Sequence, residues 1–105
     1  MGQFYCVFVE GGKDITFKGE IVGDSSSHQY QGPNSYRWVE FRLYLTDGGK
    51  FVAQRINRTC WRGEAVRFEG AVCADHKAVI EFFGLSNQAK RFYKKVGINA
   101  DMEID

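Results

Sequence analysis

Between residues 55 and 64 the chain reads RINRTCWRGE, which gathers Arg55, Arg58 and Arg62 around Trp61. A guanidinium is a planar, permanently charged fork that grips phosphate through two hydrogen bonds. An indole offers a flat apolar face on which a base or a guanidinium stacks. Arginine beside tryptophan is therefore the pairing that a nucleotide-like anion asks for. Read as pure structure, the same residues describe a strand-end Trp sealing the core edge with Arg laid over it. A second cationic region is GLSNQAKRFYKKVGI, where Lys90, Arg91, Lys94 and Lys95 follow the amides of Asn87 and Gln88. This stretch is similar to the second half of a helix-turn-helix, and a charge run of this kind is otherwise a solvated helix face. The residues chosen for ligand binding are Arg62 with Trp61, Arg91 with Asn87, and Lys18 from an earlier strand.

Catalytic and metal chemistry find no such pattern. His28 and His76 belong to no HExxH or Cys/His spacing. GxSxG, P-loop and GxGxxG motifs are absent. Glu64 and Glu69 flank a strand, but nothing identifies a general acid–base partner for either. The expectation is a protein that is not an enzyme and takes no cofactor and no metal. Cys6, Cys60 and Cys73 are odd in number, widely spaced and without a CxxC. Their apolar, strand-like settings predict three buried, reduced thiols, and hence a cytoplasmic location.

The elements that must position these groups are mostly strands. Phe4 to Val9 is an aromatic and β-branched run, Gly11-Gly12 breaks it, and Ile15 to Val22 follows with apolar residues in period two. Residues 23–36, GDSSSHQYQGPNSY, read as a long loop. In Arg37 to Thr46, Val39, Phe41, Leu43 and Leu45 fall on one face, and Trp38, Glu40, Arg42, Tyr44 and Thr46 on the other. A three-residue turn ending in a left-handed Gly49 pairs Leu45 with Phe51 and Leu43 with Ala53, a better apolar match than a two-residue turn provides. Phe51 to Arg58 and Arg67 to Cys73 complete five strands. Asp75 caps a first helix that Gly84 ends, and Ser86 caps a second that Gly97 ends. Leu85, Ala89, Phe92, Tyr93 and Val96 recur at helical spacing and face the sheet. The fold class is α+β: a five-stranded antiparallel β-sheet followed by two short C-terminal helices, one domain over residues 1–105.

Composition bounds the function. Fourteen Lys and Arg against 13 Asp and Glu give a net charge of +1, too little for a protein that must neutralise many phosphates of a duplex. A compact anion needs only a few convergent cations. No apolar run approaches the roughly 20 residues of a membrane helix, so no membrane partner is expected. Aromatics are 15% of the chain, more than a small core readily absorbs, which points to a homo-oligomer that buries some of them between copies.

The segment FKGEIVG, a variable loop, and then EFRLYLTDGGKFVAQRINRTCWRGE resemble the small bacterial EXLDI family over residues 17–64. The matching residues are Phe17, Gly19, Gly23, Phe41, Arg42, Tyr44, Thr46, Gly49, Phe51, Arg58 and Trp61. Glu103-Ile104-Asp105 partly matches the family's namesake ending. The DNA-binding segment that often precedes this region in the family has no counterpart in these 105 residues, and the family implies no settled activity. In size, element order and Arg/aromatic content the chain is also similar to small phage proteins that antagonise the Thoeris defence system as sponges. That likeness implies an oligomer that sequesters a cyclic ADP-ribose-type signal without cleaving it, in the host cytoplasm if the protein is phage-encoded. The reading is a non-catalytic protein that binds a small anionic nucleotide-like ligand, with duplex nucleic acid and a protein–protein inhibitor role as alternatives.

Overall fold

A computed structural model of the chain describes residues 2–27 and 36–101. Five strands, β1 (Gln3–Val7), β2 (Ile15–Ser26), β3 (Arg37–Thr46), β4 (Phe51–Thr59) and β5 (Arg67–Cys73), precede two helices, α1 (His76–Phe83) and α2 (Asn87–Val96). The strands form one antiparallel meander in the order β1-β2-β3-β4-β5. Helix appears among the described residues only after residue 75, as the sequence predicts.

The β3–β4 hairpin has the predicted register. Leu45 pairs with Phe51 and Leu43 with Ala53. Gly49 sits at φ 87°, a left-handed conformation that costs glycine nothing. Pairing puts Phe41, Leu43, Ala53 and Cys73 on one face, where α1 and α2 cover them with Val79, Phe83, Ala89, Phe92, Tyr93 and Ile98. The caps are those expected. Asp75 accepts from the Ala78 amide at 2.9 Å, and Ser86 accepts from the Ala89 amide at 3.1 Å. Tyr93 is buried to its hydroxyl, which donates to the Gly84 carbonyl at 2.6 Å. Burial pushes its phenol up to about 12.

The second face of the sheet is a core as well, which the sequence did not announce. Val7, Tyr44 and Val52 are buried there, with Tyr5, Val9, Ile15 and Phe17 packed against them. The sheet curls to close this inner face. Past β1, the Glu10 amide donates to the Phe68 carbonyl of β5 at 3.0 Å. Phe8 meets Phe68 edge-on at 5.2 Å, and Arg67 pairs with Glu10 at 3.3 Å. The two ends of the meander thus touch, and Val7 and Val9 lie over Gly70.

Several sequence expectations need correction. Residues 23–36 are not all loop, because β2 runs on to Ser26. A bulge between Ile21 and Gly23 lets Gly23 pair with Leu43 and Ser26 with Glu40. Glycine stands at 23 because α2 packs down on it: a Cβ there would lie 2.5 Å from a Val96 methyl. Residues 28–35 lie outside the described residues. Val39, Leu45 and Val96 are half-buried rather than buried, and Leu85 is exposed. The reason is length. A ten-residue helix spans about 15 Å against roughly 33 Å for a ten-residue strand, so the helices leave both ends of β3 partly open. Of the cysteines only Cys73 is buried; Cys6 and Cys60 are exposed. Cys6 alternates outward from the inner core along β1, and Cys60 lies just past the end of β4.

Leu43 is fully buried. Leu43→Ala should lower stability by about 2–5 kcal/mol in denaturant unfolding, through lost apolar burial plus the cavity left behind. A loss well under about 1 kcal/mol would mean that this face is not the core.

Candidate functional site

The end of the sheet where β3 begins and β4 ends carries the densest polar chemistry. A connected set of bonds fixes the turn after β4. The Cys60 amide donates to the Tyr36 carbonyl at 2.9 Å, and the Glu64 amide to the Trp61 carbonyl at 3.3 Å. The Thr59 hydroxyl donates to Glu64 Oε1 at 3.1 Å and accepts from the Trp61 amide at 3.1 Å. Arg37 closes the set from β3: Nε and Nη2 both donate to the Glu64 carboxylate at 3.1 Å. Such fork-to-carboxylate pairing is directional as well as attractive.

Trp61 projects from this turn with 49% of its surface exposed. Its ring lies 4.7 Å from that of Tyr36, tilted by 48°. Beside the pair is an open groove of about 350 Å³, lined by Arg37, Trp38, Asn57, Arg58, Thr59 and Arg67 among others. Arg62, next to Trp61, is exposed, and no ion pair joins it to another described residue.

The arginines that surround Trp61 in sequence do not surround it in space. Arg55 faces the helices, where it pairs with Glu69 and donates to the Phe82 carbonyl at 3.0 Å. Arg58 points to the inner face and pairs with Glu40. Alternation along β4 sends positions three apart to opposite sides of the sheet, so only Arg62 stays beside the indole. Lys18 is placed elsewhere too. It sits over the Phe4 ring at 4.8 Å, one residue from the Gly19–Thr46 rung, at the far end of β3. That is roughly 30 Å of strand from the Trp61 turn.

Arg91 and Asn87 lie exposed on α2. The first turn of that helix is anchored at the same end of the sheet as the Trp61 turn, since Gln88 Nε2 donates to the Val39 carbonyl at 2.8 Å. Arg91 is engaged within the chain and is not a spare cation. Lys95 is also committed: its ammonium donates to the Asp24 carbonyl at 2.7 Å. Lys90 and Lys94 remain on the solvated side of the helix.

The two carboxylates singled out by sequence are structural partners of arginine. The Arg37 guanidinium bonded to Glu64 holds that carboxyl below the usual range, against an opposing desolvation and with help from Thr59. Arg55 does the same for Glu69, helped by Asn57. Burial pushes the Cys73 thiol up, and the Asp75 charge adds to it. The His76 ring packs 5.3 Å from that of Phe51; His28 lies outside the described residues. Among the described residues no three His, Cys, Asp or Glu side chains gather as a metal site, and no helix is long and apolar enough to cross a membrane. Sequence reasoning missed Arg37 as the partner of Glu64, and Glu40 as the partner of Arg58. The second pair was readable, since Glu40 and Arg58 fall on the same face once the β3–β4 register is fixed.

Comparison with known proteins finds no match for the chain among family models, curated proteins or solved structures.

Glu64 and Glu69 are depressed in the folded chain, so their stabilisation is complete above the ordinary carboxylate pKa and fades as pH falls through the lower folded values. Glu64→Gln should therefore lower the melting temperature slightly at neutral pH and converge on the wild type below about pH 4, which flattens the acid limb of the profile. An unchanged acid limb would show that the Arg37–Glu64 pair contributes nothing there.

Proposed function

We propose that the protein binds a compact anionic nucleotide-like molecule without altering it. The Trp61–Tyr36 pair is the platform for the base, and Arg62 is the donor to the charged group. One observation carries this reading: a half-exposed indole is held ready on a turn cross-braced from β3, beside a groove of about 350 Å³. A preorganised aromatic surface loses little freedom when a base stacks on it.

The charge of the site favours a small ligand over a polyanion. Arg37, Arg58 and Arg67 line the groove, but each is neutralised, by Glu64, Glu40 and Glu10 respectively. Arg62 adds one uncompensated charge, and Asn87 and Arg91 on α2 stand at the same end of the sheet. Duplex binding draws its affinity from many unneutralised cations, which this surface lacks. Sequestration rather than turnover fits carboxylates that are each bound up by an arginine. Signals of the cyclic ADP-ribose type, which the sponge proteins take up, are the first ligands to try.

Trp61→Ala and Arg62→Ala should each weaken calorimetric binding of cyclic ADP-ribose-like or cyclic dinucleotide ligands by roughly tenfold to a hundredfold, with little change in melting temperature. Ligand released by heat should be chemically intact. Cleaved ligand, or a broad nucleotide panel with no effect on the wild-type melting temperature, would overturn the reading. Binding of duplex DNA that collapses steeply with salt would favour the nucleic-acid alternative.

We further infer that the working form is a homo-oligomer. Phe4, with 77% of its surface exposed, and Cys6 point outward from β1 at the edge of the sheet, and Phe8 is exposed just past it; open edges carrying apolar side chains invite pairing. Light scattering should report at least a dimer at high micromolar concentration. A monomer there would rule it out, and Phe4→Lys should dissociate the assembly without unfolding the chain.

A further inference from the structure

A second polar recess opens on the other side of the Glu40–Arg58 ion pair: Arg58 lines the groove near Trp61, and Glu40 lines this recess. It measures about 210 Å³, and its lining includes Asp24, Ser25, Glu40, Arg42 and Lys95. Arg42 is the singular residue here. It is half-buried, and its neighbours across the sheet are Asp24 on β2 and Gln54 on β4. Gln54 is only 5% exposed.

Both carboxylates that could neutralise Arg42 are taken. Glu40, two residues away on the same face, pairs with Arg58. Asp24, directly opposite, turns its carboxylate to Lys95 at 3.7 Å. No ion pair or hydrogen bond joins the Arg42 side chain to any other described residue. The connecting residues 28–35 contain no Asp or Glu that could serve instead. A guanidinium that loses part of its hydration and gains no partner is unfavourable, and in this site a bound anion would restore the balance.

We propose that Arg42, with the Lys95 ammonium, forms an oxyanion subsite for a phosphate group. The donor set suits a phosphate: a planar fork and a point charge line one recess. Asp24 and Glu40 limit the charge that can enter, so the site takes one phosphate group rather than a run of them. The group comes either from free phosphate or from the phosphate of a larger ligand. The subsite stands apart from the Trp61 platform and does not depend on it.

The test is titration of the purified protein with inorganic phosphate, against chloride at matched ionic strength. The readouts are the Arg42 side-chain Nε–H resonance and the melting temperature. Phosphate should shift the Arg42 signal saturably and raise the melting temperature, while chloride does neither. Arg42→Gln should remove the phosphate-specific rise in melting temperature. Lys95→Gln, a substitution at an exposed position of α2, should weaken phosphate binding by roughly tenfold. Arg62→Ala should leave it unchanged, which separates this site from the Trp61 platform. A nucleoside carrying a terminal phosphate that shifts the Arg42 resonance at lower concentration than free phosphate identifies the larger ligand as the source; equal concentrations identify free phosphate. A response to phosphate no greater than to chloride, or one that persists in both Arg42→Gln and Lys95→Gln, overturns the proposal.

Discussion

The register between β3 and β4 is the constraint on which the rest of the molecule depends. The middles of these two strands are covered on both faces, so the apolar residues there belong to one of two cores. Phe41, Leu43 and Ala53 go to the helices, and Tyr44 and Val52 to the inner face. A slip of one residue would exchange these sets and drive Arg42 and Gln54 under α1 and α2. The turn at residues 47–49, closed by the Thr46 amide on the Lys50 carbonyl at 2.7 Å, prevents that slip. The polar groups follow the same rule. Arg55 pairs with Glu69 on the helix side because the register sets them opposite each other, and Arg58 pairs with Glu40 on the inner side because Glu40 lies on the same face, next to the Trp38–Arg58 rung.

Much of this architecture was legible in the sequence where a single local signal decided the outcome. The β3–β4 pairing followed from alternation and a glycine turn. Both helices were bounded by a capping side chain and a terminal glycine. What escaped depends on contacts between distant segments. Tyr44 reads as polar in an alternating strand, yet it is buried because Tyr5 and Phe17 fold over it, with ring centroids 4.8 and 5.3 Å away. Gly23 reads as a loop residue, yet its missing side chain admits α2. Cys6 and Cys60 read as core residues, yet one faces outward from an edge strand and the other follows a strand end.

The candidate site was legible in kind but not in membership. Trp61 and Arg62 stand together because they are adjacent in one turn. Lys18 was chosen for its charge, which says nothing of the distance that a long strand imposes. Arg55 and Arg58 were grouped with Trp61 by proximity along the chain, although a pleated strand separates such neighbours. The ion pairs recast the whole surface. Five arginines and lysines are matched to carboxylates, so the cations able to meet a ligand are fewer than composition suggests. Partners for arginine could be assigned only after the strands had been laid side by side.

The closure of the meander also bears on the order in which the chain folds. Each strand pairs with its neighbour in sequence, so four hairpin contacts form between segments close along the chain at modest entropic cost. The bond from Glu10 to Phe68 and the pairing of Arg67 with Glu10, 57 residues apart, bring together the two ends of the sheet. That step closes the longest loop and is repaid only when Val7 and Val9 settle over Gly70. The helix-covered half is complete without it. Closure of the ring over Gly70 thus has the highest loop-closure cost in the fold, and amides of β1 should exchange with solvent hydrogen through a smaller excursion than those of β3 and β4.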